Sequence, residues 1–444
     1  MRTRIFLLIA LFVLVAPLAT QAQTIAIRGA KIYTLAGPPI ENGTVVIKDG
    51  KIADVGANVA VPAGAQVIDG KGLQVFPGFF DSFSQLGLVE VESVSATIDT
   101  TELGDFNPQL VTATAVHPAS EHIPVARANG ITHAVSAPAV GGGGGGGGFG
   151  GGGAQSIVRG QASAINLNGW VIDEMLIRKS VGLVLTWPTL GPAGGGFGGG
   201  GFGGGGQQRP FSEVRQAYER RFAEISGWLE ASRHYAQAVE RGSKDKFERD
   251  LKFDAMIPVV KGELPVLVYA NRARDIRNAI EFCGKEKLKM ILAGGNEAWK
   301  VKDLLKEKNI PVILGPTQTL PVNEDDPYDK PYSRAGELHA AGVRIAFATF
   351  NSADSRTLPY EAGQAVGFGL PWDEAVKAIT LYPAQFLGLA DRFGTIETGK
   401  VANLVVTTGD PLEPRTQVKH VVITGREVSL DNRHLRLYNE YKKR

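Results

Sequence analysis

The sequence predicts an α/β fold: a (β/α)8 TIM-like barrel over residues 77–394, joined to a small β-sandwich assembled from strands at both chain ends, 23–76 and 395–430. Three observations predict it. Apolar runs of strand length alternate with helical stretches through the middle of the chain. Those central runs are apolar throughout rather than alternating, as in a parallel sheet covered on both faces. Short β-like runs with tight-turn punctuation stand at both ends.

In chain order, MRTRIFLLIALFVLVAPLATQA places Arg2 and Arg4 before an apolar stretch that ends in small residues, so residues 1–22 read as a secretory signal cleaved after Ala22. The mature chain is then expected in the periplasm or outside the cell, with no stable membrane insertion. Next come IAIRGAKIYTL, a GPPIENG turn, TVVIKDGKIADVG with an Asp-Gly hairpin signal, and AQVIDGKGLQVFPG. GTIETGKVANLVVTTGDPL and VKHVVITGREV repeat this grammar near the other end and complete the small β unit.

Between them lie the strands ITHAVSAPA, VGLVLTWP, LPVLVYA, KMILAG, IPVILG and VRIAFAT, with the helices DIRNAIEFCGKEK, EAWKVKDLLKEK and SRAGELHAAG among the later ones. Their number favours a closed barrel; an open doubly wound sheet is the alternative. Two glycine-rich tracts, 141–153 and 194–206, interrupt the series as loops, and neither ends in the Gly-Lys-Ser/Thr of a phosphate loop. From 211 to 256 a charged segment with Tyr218, Phe222, Ile225 and Leu229 at helical spacing predicts an amphipathic insertion packed on the barrel.

With 47 Lys plus Arg against 45 Asp plus Glu and no basic run, the charge argues against a nucleic-acid partner. Cys283 is the only cysteine, so no intramolecular disulfide can form, and its helical setting predicts a small buried hydrophobe.

The split β unit, PGFFD at 77–81, GITHAVSAP at 130–138, GQASAINLNGW at 160–170 and the closing GTIETGKVANLVVTTGDPL together resemble the amidohydrolase superfamily, in particular its secreted imidazolonepropionase-like members. The resemblance implies hydrolysis of C–N bonds in cyclic amides or peptide-like substrates, with a divalent metal such as zinc. It implies a His-x-His pair after the first barrel strand, a bridging carboxylate or modified lysine, two later histidines, and an aspartate on the last strand. Such a metal lowers the pKa of its bound water to about 7.

On that template the first pair falls on Phe83 and Gln85, the later histidines on Tyr269 and Gly294, and the aspartate on Phe350. None offers an imidazole or a carboxylate. A degenerate ligand motif therefore predicts no bound metal and no cofactor. His117 and His122 with Glu121 are the alternative as a relocated metal site, although their spacing crosses a proline and fits no metal motif. Ser82 and Ser84 lack a nucleophile elbow and an activating histidine.

Three functions follow from the sequence. The first is a non-catalytic subunit of an amidohydrolase assembly, with a protein partner or a second copy of itself. The second is a small-molecule-binding protein that uses the residual pocket, with Arg272, Arg274 and Tyr269 as polar contacts. The third is an active hydrolase with a non-standard site.

Overall fold

The computed structural model describes residues 24–140, 156–189, 210–242 and 248–443. The signal assigned to 1–22 and both glycine-rich tracts lie outside them. Within these residues two eight-stranded sheets form.

The barrel sheet contains β6 (Phe79–Ser84), β7 (Ile131–Ser136), β8 (Val158–Asn166), β9 (Leu176–Thr186), β10 (Val266–Ala270), β11 (Met290–Gly294), β12 (Val312–Leu314) and β13 (Ile345–Phe347), paired in sequence order. The barrel closes where Ser82 Oγ on β6 donates to the Phe347 carbonyl of β13 at 2.6 Å and the Phe350 N–H donates to the Phe83 carbonyl at 2.9 Å.

The sheet departs from the parallel expectation at one strand, because β8 runs antiparallel to both β7 and β9. The link from β8 to β9, residues 167–175, holds only a one-turn helix at Ile172–Met175. A parallel crossover needs about a dozen residues or more, so the chain returns as a hairpin instead.

Side chains alternate between two apolar layers. Leu183, Leu185, Val266, Val268, Leu292 and Leu314 face outward beneath the helices. Phe80, Phe83, Val184, Leu267, Ile291 and Ile313 fill the interior with Ala162, Ala164, Ala293 and Ala346, whose small side chains leave room for the two phenylalanines. The helix Phe211–Glu240 lies on the outer layer and buries Ile225 and Leu229 beside Leu183 and Val266. The helix after it, Leu251–Val260, starts where Asp250 accepts from the Lys252 amide at 2.7 Å.

The smaller sheet unites β1 (Ile25–Ile32), β2 (Ile40–Lys48), β3 (Lys51–Gly56), β4 (Gln66–Asp69) and β5 (Gln74–Pro77) with β14 (Leu404–Thr407), β15 (Val418–Ile423) and β16 (Arg426–Val428). Strand β1 pairs with β4 through its first half and with β5 through its second, and this branch folds the sheet around Ile25, Ile27, Ile47, Val75, Leu404 and Val422. Only Gly78 separates β5 from β6, and its amide donates to the Asn403 carbonyl beside β14 at 2.8 Å. The small sheet thus sets the position of the first barrel strand. Among the described residues no helix is long and apolar enough to cross a membrane.

Candidate functional site

In a barrel of this kind, chemistry is built at the C-terminal ends of the strands. Here that mouth is aromatic. Phe83, at the end of β6, is fully buried and stacks on Phe350, which follows β13; the ring centroids lie 4.6 Å apart with 23° between the planes. Tyr269 of β10 leans on the other side of Phe350 at 5.9 Å. Gly294, at the end of β11, has φ +89°, and a Cβ there would stand 2.6 Å from Asn271 Oδ1 and 2.9 Å from the Tyr269 ring. The glycine therefore makes room for Tyr269. Gln85 is half-buried just beyond β6.

Four of the five positions marked on the sequence thus meet, and their chemistry does not fit a metal. Phe83 and Phe350 present hydrocarbon and Gly294 nothing. Burial holds the Tyr269 phenol above its ordinary pKa, which keeps it neutral. Among the described residues no group of three or more His, Cys, Asp or Glu side chains converges as a cation site.

Two buried carboxylates near this end of the barrel are committed to local hydrogen bonds. Asp81 on β6 is fully buried; its Oδ2 accepts from Thr349 Oγ1 at 2.5 Å and Ser355 Oγ at 2.8 Å, and its Oδ1 from the Thr349 and Phe83 amides at 3.2 and 3.4 Å. Burial outweighs these donors and raises its pKa to about 6. Asp81 so ties the segment after β13 to β6, and the next residue, Phe350, takes φ +55°, a left-handed conformation costly for an aromatic residue. Glu361 is likewise occupied, accepting from Thr317 Oγ1 at 2.6 Å and from the Gln318 amide at 3.0 Å.

One inward-facing cation reaches the mouth. Arg159 on β8 donates from Nε to Thr186 Oγ1 of β9 at 2.8 Å, and Tyr269 lies close enough to act on its charge. Neither Asp81 nor Arg159 stood out on the sequence. Asp81 had a usable signal, an acidic residue directly after the Phe-Phe of the PGFFD run; Arg159 had none.

The remaining candidates sit elsewhere. Arg272 is exposed at the N-cap of the helix Ala273–Lys285, and Arg274 is half-exposed with Nε 3.5 Å from Asp275 Oδ1. His117 is exposed, His122 Nε2 lies 3.0 Å from the Glu90 carbonyl, and Glu121 pairs with Arg436, so these three do not converge. Ser82 and Ser84 spend their hydroxyls on the Phe347 and Val135 carbonyls. Cys283 is buried, and burial pushes its thiol up to about 12.

A barrel with its mouth at the strand ends, locked to a small sheet drawn from both ends of the chain, is the architecture of amidohydrolase-type proteins. Residues 302–428 match the model of the Amidohydrolase family. An amidohydrolase from Thermotoga maritima MSB8 superposes with a TM-score of 0.74 at 26% identity, covering 91% of this chain and 99% of that one. A prolidase complexed with N-methylphosphonate-L-proline shares the fold at TM-score 0.53 and 16% identity, covering 92% and 100% of the two chains. Among curated relatives, Amidohydrolase tasK of Hapsidospora irregularis is 22% identical over 403 residues, 83% of this chain and 38% of that protein. N-acetylglucosamine-6-phosphate deacetylase of Haemophilus influenzae is 34% identical over 95 residues, 21% of this chain and 22% of that enzyme. The chain thus spans well under two thirds of either curated relative. Its last third thus matches the Amidohydrolase family, and its fold as a whole is similar to that of the Thermotoga amidohydrolase.

Proposed function

We propose that this chain is a non-hydrolytic amidohydrolase-type protein, exported to the periplasm or secreted, that serves as a non-catalytic subunit beside an active amidohydrolase. The observation that supports it is the Phe83–Phe350 stack, which occupies the mouth where the superfamily resemblance calls for metal ligands. Clustered imidazoles and carboxylates without a metal would be costly buried polar groups, whereas each phenylalanine contributes about 1.5–3 kcal/mol on burial. A barrel kept whole with such a mouth is put to use through its surfaces.

A second reading, small-molecule binding at the mouth, is favoured by one observation: Arg159 faces inward beside Tyr269.

The test joins metal analysis to capture. The exported protein, purified without chelator, is expected to start at Gln23, to carry well under one zinc, manganese or iron per chain, and to leave an amide and dipeptide panel intact after metal addition. Capture from the native envelope is expected to return an amidohydrolase in near-equal amount. Stoichiometric metal with chelator-sensitive turnover would reject the non-hydrolytic reading; recovery of this chain alone would reject the subunit role.

A further inference from the structure

The register of β8 decides where Arg159 points. Gly160 pairs with Val184 and Val158 with Leu185, so two steps on β8 oppose one on β9 and Arg159 is the extra residue of a bulge. Ala162 and Ala164 on one side of the bulge face the barrel interior. Val158 on the other side faces the outer apolar layer with Phe106 and Leu185. The inserted residue turns Arg159 inward, onto Thr186.

The result is a largely buried cation without a counter-charge among the described residues. Arg159 is 9% exposed, and among the described residues its single hydrogen bond is the one from Nε to Thr186. Among the described residues the ionisable group that acts on it is the Tyr269 phenol, and no carboxylate does. Neither glycine-rich tract contains an Asp or Glu to supply one. Among the described residues the outer edge of the guanidinium is given no protein partner, and its fork geometry matches the two oxygens of a carboxylate. Beside it, Tyr269 and Phe350 are only half-buried and present ring surface.

We propose that Arg159 anchors an anion subsite at the barrel mouth that takes a carboxylate-bearing small molecule, its apolar body lying against Tyr269 and Phe350. A carboxylate suits the site better than a phosphate, because one guanidinium edge offers two parallel donors and, among the described residues, no second cation acts on Arg159. The subsite rests on the small-molecule-binding reading, which it deepens by naming the ligand class, and does not depend on a protein partner.

The probe is N-benzoylglycine, with N-benzoylglycinamide as its uncharged isostere and inorganic phosphate as an anion without an apolar body, each titrated calorimetrically into the mature chain. N-benzoylglycine is expected to bind at least about tenfold more tightly than the amide, and Arg159→Met to remove that preference. Arg159→Lys keeps the charge without the fork and is expected to bind more weakly than wild type. Equal binding of acid and amide by wild type, or no binding of either, would overturn the subsite even if Arg159→Met failed to fold. Phosphate binding as tight as N-benzoylglycine would overturn the carboxylate assignment. Metal content is read separately, so either proposal can fail without the other.

Discussion

Phe83 and Phe350 are joined twice: their rings stack at 4.6 Å, and the Phe350 amide donates to the Phe83 carbonyl at 2.9 Å. Because these residues come from the first barrel strand and the segment after the last, one contact both closes the barrel and lines its mouth.

Removing the inner ring should therefore cost stability at the closure. Phe83→Ala is expected to destabilise the chain by about 3–5 kcal/mol, the range for deleting a fully buried phenylalanine. Urea unfolding followed by far-UV circular dichroism measures it. A loss under about 1 kcal/mol would show that the ring is not packed as described.

Restoring two ligands should restore no chemistry. Phe83→His with Gln85→His is expected to leave zinc content well below one per chain and amide hydrolysis undetectable, since Tyr269, Gly294 and Phe350 still supply no ligand set. Elemental analysis and an amide-cleavage assay check this; stoichiometric zinc in the double variant would contradict it.

Gly294 is predicted to tolerate no side chain. At φ +89°, with the Tyr269 ring 2.9 Å from the Cβ position, Gly294→Ala suffers both backbone strain and a clash. A loss of about 2–3 kcal/mol is expected, of which left-handed strain accounts for about 1–2. The midpoint of chemical unfolding is the readout.

Two buried groups set opposing pH dependences. His133, packed between Phe80 and Phe393 with Nε2 unpartnered, is driven by burial from 6.5 down to about 3. The unfolded chain takes up its proton first, so this contribution is present above pH 6.5 and lost as pH falls toward 3. Asp81, raised from 3.8 to about 6, works the other way: its contribution is present below 3.8 and lost as pH rises through 6. Between roughly pH 4 and 6 the two slopes, each about 1.4 kcal/mol per pH unit, offset one another. Asp81→Asn leaves the His133 slope unopposed. Relative to wild type, the variant should lose up to about 3 kcal/mol as pH drops from 6 to 4. Unfolding at pH 4, 5 and 6 measures it, and a constant difference across the three would reject the account.

What the sequence determined by itself was the fold class and the identity of the residues at the barrel-strand ends. Apolar runs such as VGLVLTWP and KMILAG mark barrel strands because strands covered on both faces bury every side chain, a requirement legible without coordinates. The residues at the strand ends were legible too, since the resemblance locates the ends and Phe83, Tyr269, Gly294 and Phe350 are read directly there.

The tertiary structure decided what fills that space and which polar groups face it. No local pattern tells that Phe350 turns back onto Phe83, because the rings come from the first barrel strand and the segment after the last and meet only on closure. Nor does GQASAINLNGW reveal an antiparallel strand, whose direction follows from a connection too short to cross over. Arg159 looks like any charged residue at a strand start until one inserted residue turns it inward, and Asp81 acquires its raised pKa only when packing removes the water around it. Periodicity is a property of neighbours along the chain, whereas facing and desolvation are set by partners hundreds of residues away.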